Sequence, residues 1–85
     1  MEIAVEISLY PLHDEYIPFI KEFIARLNAH AGLHVITNHL STQVFGDHDR
    51  IFEVLRQEMA TSFAASGKAI FVTKFIGNYT LLPDA

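Results

Sequence analysis

Residues 3–10 alternate without a break: Ile3, Val5, Ile7 and Leu9 fall on one face, and Ala4, Glu6, Ser8 and Tyr10 on the other. A period of two predicts a strand with one buried face. Pro11 has no N–H to give to a ladder and ends it. The period then changes. Asp14 reads as a helix N-cap and Pro18 stands near the helix start, where proline is tolerated. Ile17, Ile20, Phe23, Ile24 and Leu27 recur at spacings of three and four, which predicts an amphipathic helix to about His30, stopped by Gly32. Residues 33–38 and 40–45 read as two further strands joined as a hairpin across Asn38-His39. Asp47 or Asp49 caps a second helix with a buried stripe of Ile51, Val54, Leu55, Met59 and Phe63, ended by Ser66-Gly67. Residues 69–76 form a fourth strand, Gly77-Asn78 a turn, and Leu81, Leu82 and Pro83 a tail able to cover an edge or a neighbour.

The order strand, helix, strand, strand, helix, strand predicts an α+β fold of the ferredoxin-like βαββαβ kind. Its four-stranded antiparallel sheet carries two helices on one face, in a single domain over residues 1–85. The other face has no helix over it. The first strand presents Ala4, Glu6, Ser8 and Tyr10 there. The third offers either Ser41, Gln43 and Phe45 or Leu40, Thr42 and Val44. The fourth offers either Phe71, Thr73 and Phe75 or Ile70, Val72 and Lys74. Each choice for the fourth strand includes large apolar groups, so that face is a patch to be covered by another sheet, by a ligand, or by both.

Composition sharpens this. Of the 85 residues 51% are hydrophobic and only 19% charged, which excludes a disordered chain. No apolar run approaches the roughly 20 residues of a spanning helix. A domain this small exposes roughly 5,000 Å² and cannot hide so many apolar side chains, so association into a homodimer or homotetramer is expected. The net charge is -4 and the six Lys and Arg are scattered, which argues against nucleic acid and anionic membrane as partners. Without cysteine there is neither a disulfide framework nor a thiolate site. The acidic, alternating first ten residues do not read as a signal peptide, and the chain reads as cytoplasmic.

Candidate chemistry is sparse. His30 and His34 are four apart but separated by the helix-breaking Ala31-Gly32, and His13, His39 and His48 read as surface residues. No metal-ligand spacing is diagnostic. Ser8, Ser41 and Ser62 have no evident base and no nucleophile elbow, and no Gly-rich loop precedes a helix to hold phosphate. Glu6 is the one acid inside an apolar strand, suited to countering a cation or accepting from an amine. Tyr10 can lid a core or stack on a flat heterocycle. Asn38, Ser41 and Thr42 bring amide and hydroxyl groups to the hairpin.

Ser8-Leu9-Tyr10-Pro11, followed by the run from Asn38 through Leu40-Ser41-Thr42-Gln43-Val44-Phe45-Gly46-Asp47, resembles the YkoF-like thiamine and hydroxymethylpyrimidine binding proteins. The likeness extends over roughly residues 3–77. It implies ferredoxin-like domains working in multiples, with this chain like one half of a tandem form. It also implies binding without catalysis, the ligand being thiamine or its pyrimidine moiety, with no further cofactor. A pocket for that ligand needs an aromatic face, a carboxylate and several hydroxyl or amide groups. Glu6, Ser8, Tyr10, Asn38, Ser41 and Thr42 supply those types, and the expected pocket lies on the open sheet face of an oligomer. Two other readings stand beside it. One is a small enzyme on a dimeric α+β barrel, using His13 or His39 as acid or base. The other is a purely structural association module.

Overall fold

In the computed structural model, residues 1–81 are described. Leu82 and Pro83 of the expected tail lie outside them. The elements are β1 (Glu2–Pro11), α1 (Tyr16–Asn28), β2 (His34–Thr37), β3 (Thr42–Asp47), α2 (His48–Ser66) and β4 (Ala69–Gly77). The sheet order is β2-β3-β1-β4 with every neighbour antiparallel. This is the ferredoxin-like α+β arrangement, and the alternation along β1 builds its core. Ile3, Val5, Ile7 and Leu9 face the helices and pack with Val44 of β3, Phe23 and Leu27 of α1, and Ile51, Val54 and Leu55 of α2. The register settles the facing of the other strands. Val5 stands opposite Val44 and Phe75, so Thr42 and Val44 face the helices along with Phe71, Thr73 and Phe75. Phe71 meets Phe23 and Phe63 at centroid distances of 5.0 and 5.4 Å, and Phe75 stacks on Phe52 at 5.1 Å. Gln43 and Phe45 of β3, with Ile70, Val72 and Lys74 of β4, occupy the helix-free face.

The expected elements shift by a residue or two at several ends, and three of the differences from expectation have a local reason. β3 begins at Thr42 rather than residue 40. Asn38 Oδ1 accepts from the N–H groups of Leu40 (2.8 Å) and Ser41 (3.1 Å), and Asn38 N–H donates to Ser41 O at 3.1 Å. The junction is therefore a four-residue turn, 38–41, and the strand instead runs on through Gly46 and Asp47 to pair with Ile3 and Glu2. At the start of α1, Glu15 holds the cap position without a side-chain bond, and the N–H of Glu15 donates to His13 Nδ1 at 3.1 Å, so Asp14 is not the cap. On α2 the stripe includes Glu58 and Ser62, both buried, while Phe63 is 42% exposed. Asp47 does cap α2, accepting from Asp49 and Arg50 N–H. The Arg50 N–H above all holds its carboxyl below the ordinary value.

Gly46 marks where the sheet meets the 32–33 bend. A Cβ built there would stand 2.9 Å from Leu33 Cδ2 and 3.3 Å from Gly32 O. Gly46→Ala is therefore expected to cost about 1–3 kcal/mol through overpacking. A urea midpoint unchanged from the parent would contradict this close approach.

Candidate functional site

β1 outruns its partner. Its last pair with β3 is Ile7 with Thr42, yet it continues beside β4 as far as Pro11 opposite Ala69. Beyond Ile7, the flank that β3 would fill is open. The 38–41 turn bounds it on one side and α1 lies across it. The resulting cleft has a volume of about 470 Å³, within the roughly 300–1,000 Å³ range of small-molecule sites. Its walls are apolar: Ile7, Leu9 and Pro11 from β1, and Ile20, Phe23 and Ile24 from α1. Tyr10, Leu12, Tyr16 and Leu40 stand at its mouth, each more than half exposed.

Five of the six residues expected from sequence line this cleft: Ser8, Tyr10, Asn38, Ser41 and Thr42. They do so in unequal ways. Tyr10 is 55% exposed, an aromatic ring free to be covered. Thr42 is buried on the helix side, its hydroxyl 3.1 Å from that of Thr37. Asn38 spends its carbonyl oxygen on the turn itself, so it shapes the wall and has only its amide NH₂ to offer. Ser41 joins the cleft to the sixth residue: its Oγ donates to Glu6 Oε2 at 3.0 Å. Glu6 itself points to the helix-free face. Its other oxygen lies 3.6 Å from Lys74 Nζ, and it borders a smaller hollow of about 270 Å³ with Gln43, Phe45, Lys74, Ile76 and Tyr79. The single open-face pocket expected from sequence is thus divided: the larger space lies at the end of the sheet beside α1, and of the six residues only Glu6 borders the smaller hollow on the open face.

Among the described residues the cleft is lined by no Asp, Glu, Lys or Arg, and His39 is the one histidine on its wall. Among the described residues no group of three or more His, Cys, Asp or Glu residues could hold a metal ion. No helix among them is long and apolar enough to cross a membrane.

Sequence reasoning missed a polar cluster between the helices. Glu58 of α2 accepts from Arg26 Nε at 2.7 Å and meets His30 Nε2 at 2.6 Å, while Arg26 also donates to Ser62 Oγ at 2.7 Å. Burial pushes the Glu58 carboxyl up, but the hydrogen bonds and charges of His30 and Arg26 outweigh that and hold it below its ordinary value. A signal was present: Glu58 and Ser62 continue the spacing of Val54, so a carboxylate stood on the stripe that faces α1.

A model of the YKOF-related family matches residues 2–76. No curated protein matches the chain. Among solved structures, a protein of Streptococcus pneumoniae superposes with a TM-score of 0.86 at 17% identity, covering 99% of this chain and 94% of that one. A hypothetical protein of Methanocaldococcus jannaschii gives 0.80 at 20% identity, covering 95% and 84%. A proposed thiamine biosynthesis or salvage protein of Thermotoga maritima gives 0.79 at 13% identity, covering 88% and 82%. At these identities the likeness is one of fold.

Proposed function

Since the chain belongs to the YKOF-related family, we propose that it binds thiamine or its hydroxymethylpyrimidine moiety, without catalysis, in the cleft between the end of β1, the 38–41 turn and α1. The observation that carries this reading is the cleft itself. It is a concave, apolar-walled space of about 470 Å³ with an exposed tyrosine at its mouth and hydroxyl and amide groups on one wall. Such a space suits a small flat heterocycle. The fold likeness to the Thermotoga protein, whose name points to thiamine biosynthesis or salvage, supports the same ligand class. Binding rather than catalysis is favoured because no carboxylate among the described residues lines the cleft to face His39, and the Glu6 carboxylate beside the Ser41 hydroxyl is itself paired with Lys74.

The working form is an assembly of copies in the cytoplasm. Ile36, Ile70, Val72 and Ile76 project from the helix-free face at 37–54% exposure, beside the Glu6–Lys74 pair. A second copy related by a twofold axis can cover that patch. Each face brings its own acid and base, so the meeting places no net charge against like charge.

Calorimetric titration with thiamine and with hydroxymethylpyrimidine tests the reading. Saturable heat with at least one of them is expected. A folded sample giving neither heat nor a thermal shift at millimolar ligand would end it. Glu6→Gln offers a finer check. Among the described residues Glu6 is the only acid hydrogen-bonded to the cleft wall, so the variant is expected to weaken thiamine several-fold by removing the charge, with the size in solution unchanged. Equal affinity in the variant removes Glu6 from the site.

A further inference from the structure

The start of β1, at the far end of the sheet from the cleft, borders a second concave surface. β4 ends at Gly77, and Asn78 then takes a left-handed conformation, φ 54°, which asparagine tolerates better than most residues. The chain turns back over β1, where the N–H of Tyr79 donates to Glu2 O at 2.9 Å. The Tyr79 ring meets Phe45 of β3 on the helix-free face, with centroids 5.8 Å apart and planes inclined by 36°. Phe45 in turn stands opposite His34 of β2 in the ladder, and those rings lie 6.1 Å apart at 55°. Three rings in a row, each tilted against the next, make a curved wall rather than a flat stack. They border a cavity of about 540 Å³, to which Leu33, Ile36 and Leu81 add apolar groups and Glu2 a carboxylate.

The charge on this cavity has one sign. With histidine neutral, Glu2 is the one formally charged side chain lining it among the described residues, and no Lys or Arg stands there. The nearby cations are engaged elsewhere: the N-terminal amine lies 3.5 Å from Asp47 Oδ1 and Lys74 Nζ 3.6 Å from Glu6 Oε1. The ring faces add negative potential of their own. One carboxylate and one imidazole are too few for a metal ion, and no larger group of such ligands exists among the described residues. An organic cation makes other demands. Its carbon substituents lie against leucine, isoleucine and ring faces, and its spread charge needs no shell of oxygen ligands.

We infer that this cavity binds a small organic cation of the alkylammonium class, against the faces of Phe45 and Tyr79 and with Glu2 as counter-charge. The site is separate from the cleft. Glu2 and Tyr10 are eight positions apart on one extended strand, about 26 Å, so one small ligand cannot reach both. The inference therefore stands or falls without the reading of the cleft.

The test is an NMR titration of the full chain, at constant ionic strength, with choline and with 3,3-dimethyl-1-butanol, its neutral isostere in which carbon replaces the charged nitrogen. Choline is expected to shift the signals of His34, Phe45 and Tyr79 saturably while those of Tyr10 and Ser41 stay in place. The isostere should bind at least about fivefold more weakly, because it keeps the shape and loses the charge. Glu2→Gln and Tyr79→Ala should each weaken choline at least about threefold. Both side chains are exposed, so the spectra of the variants should otherwise match the parent. Equal affinity for choline and its isostere, or affinity unchanged in both variants, overturns the inference. So does the absence of saturable shifts at these three rings up to about 100 mM choline. Binding of hydroxymethylpyrimidine in the cleft is measured separately, and its outcome leaves this result untouched.

Discussion

Glu58→Gln is expected to lower the free energy of unfolding by about 2–4 kcal/mol. Removing one member of a buried, hydrogen-bonded charge cluster leaves its partners uncompensated, which typically costs 3–5 kcal/mol. The side chains of Arg26 and His30 keep 27% and 19% exposure, so partial rehydration softens the loss. The pH dependence follows from the same contacts. The Glu58 carboxyl is held below its ordinary value in the folded chain, so the folded state binds its proton less readily than the unfolded state. Its contribution is present in full above the ordinary carboxylate range and fades as the pH falls through that range toward the lowered folded value. Urea unfolding at several pH values checks both points. The parent should lose stability on acidification across that range more steeply than Glu58→Gln. Parallel profiles would show that the cluster carries no net stability.

Val72→Asp should raise the dissociation constant of the proposed assembly at least about a hundredfold while leaving the domain folded. Val72 is half exposed at the middle of the helix-free face, opposite Ser8 in the register. A carboxylate there costs the isolated domain little, but in a covered face it is a buried charge without a partner, worth several kcal/mol. Phe71→Asp makes the contrast. It lies one residue away but faces the helices against Phe23 and Phe63, so it should unfold the domain rather than separate copies of it. Sedimentation and circular dichroism of the two variants distinguish these fates. An assembly unaffected by Val72→Asp would place the contact elsewhere on the chain.

The fold was readable because its two periods are clean. The alternation from Ile3 to Leu9 and the three-four spacing of Phe23 and Leu27 each point to one buried face, and the register then orders the rest. For the candidate site, the sequence named residues and not the place where they meet. Ser8, Tyr10, Asn38, Ser41 and Thr42 do converge, but on the end of the sheet. The reason is one side chain: Asn38 bonds the N–H groups of Leu40 and Ser41, delays β3 by two residues and vacates the flank of β1. A propensity reading of Leu40 through Phe45 as strand carries no trace of that competition between side chain and ladder. The Arg26–Glu58–His30 cluster was hidden for a different reason. A polar residue on an apolar stripe reads as surface until its partner on another helix is in view, and those partners are 28 and 32 residues away.

The central claim is that the cleft at the end of β1 receives the heterocycle. A crystal structure of the protein grown with hydroxymethylpyrimidine tests it most directly. The account predicts the ring between Tyr10, Phe23 and the 38–41 turn. A ring seated instead on the open sheet face among Gln43, Lys74 and Ile76, with the cleft at β1 filled only by solvent, would contradict it.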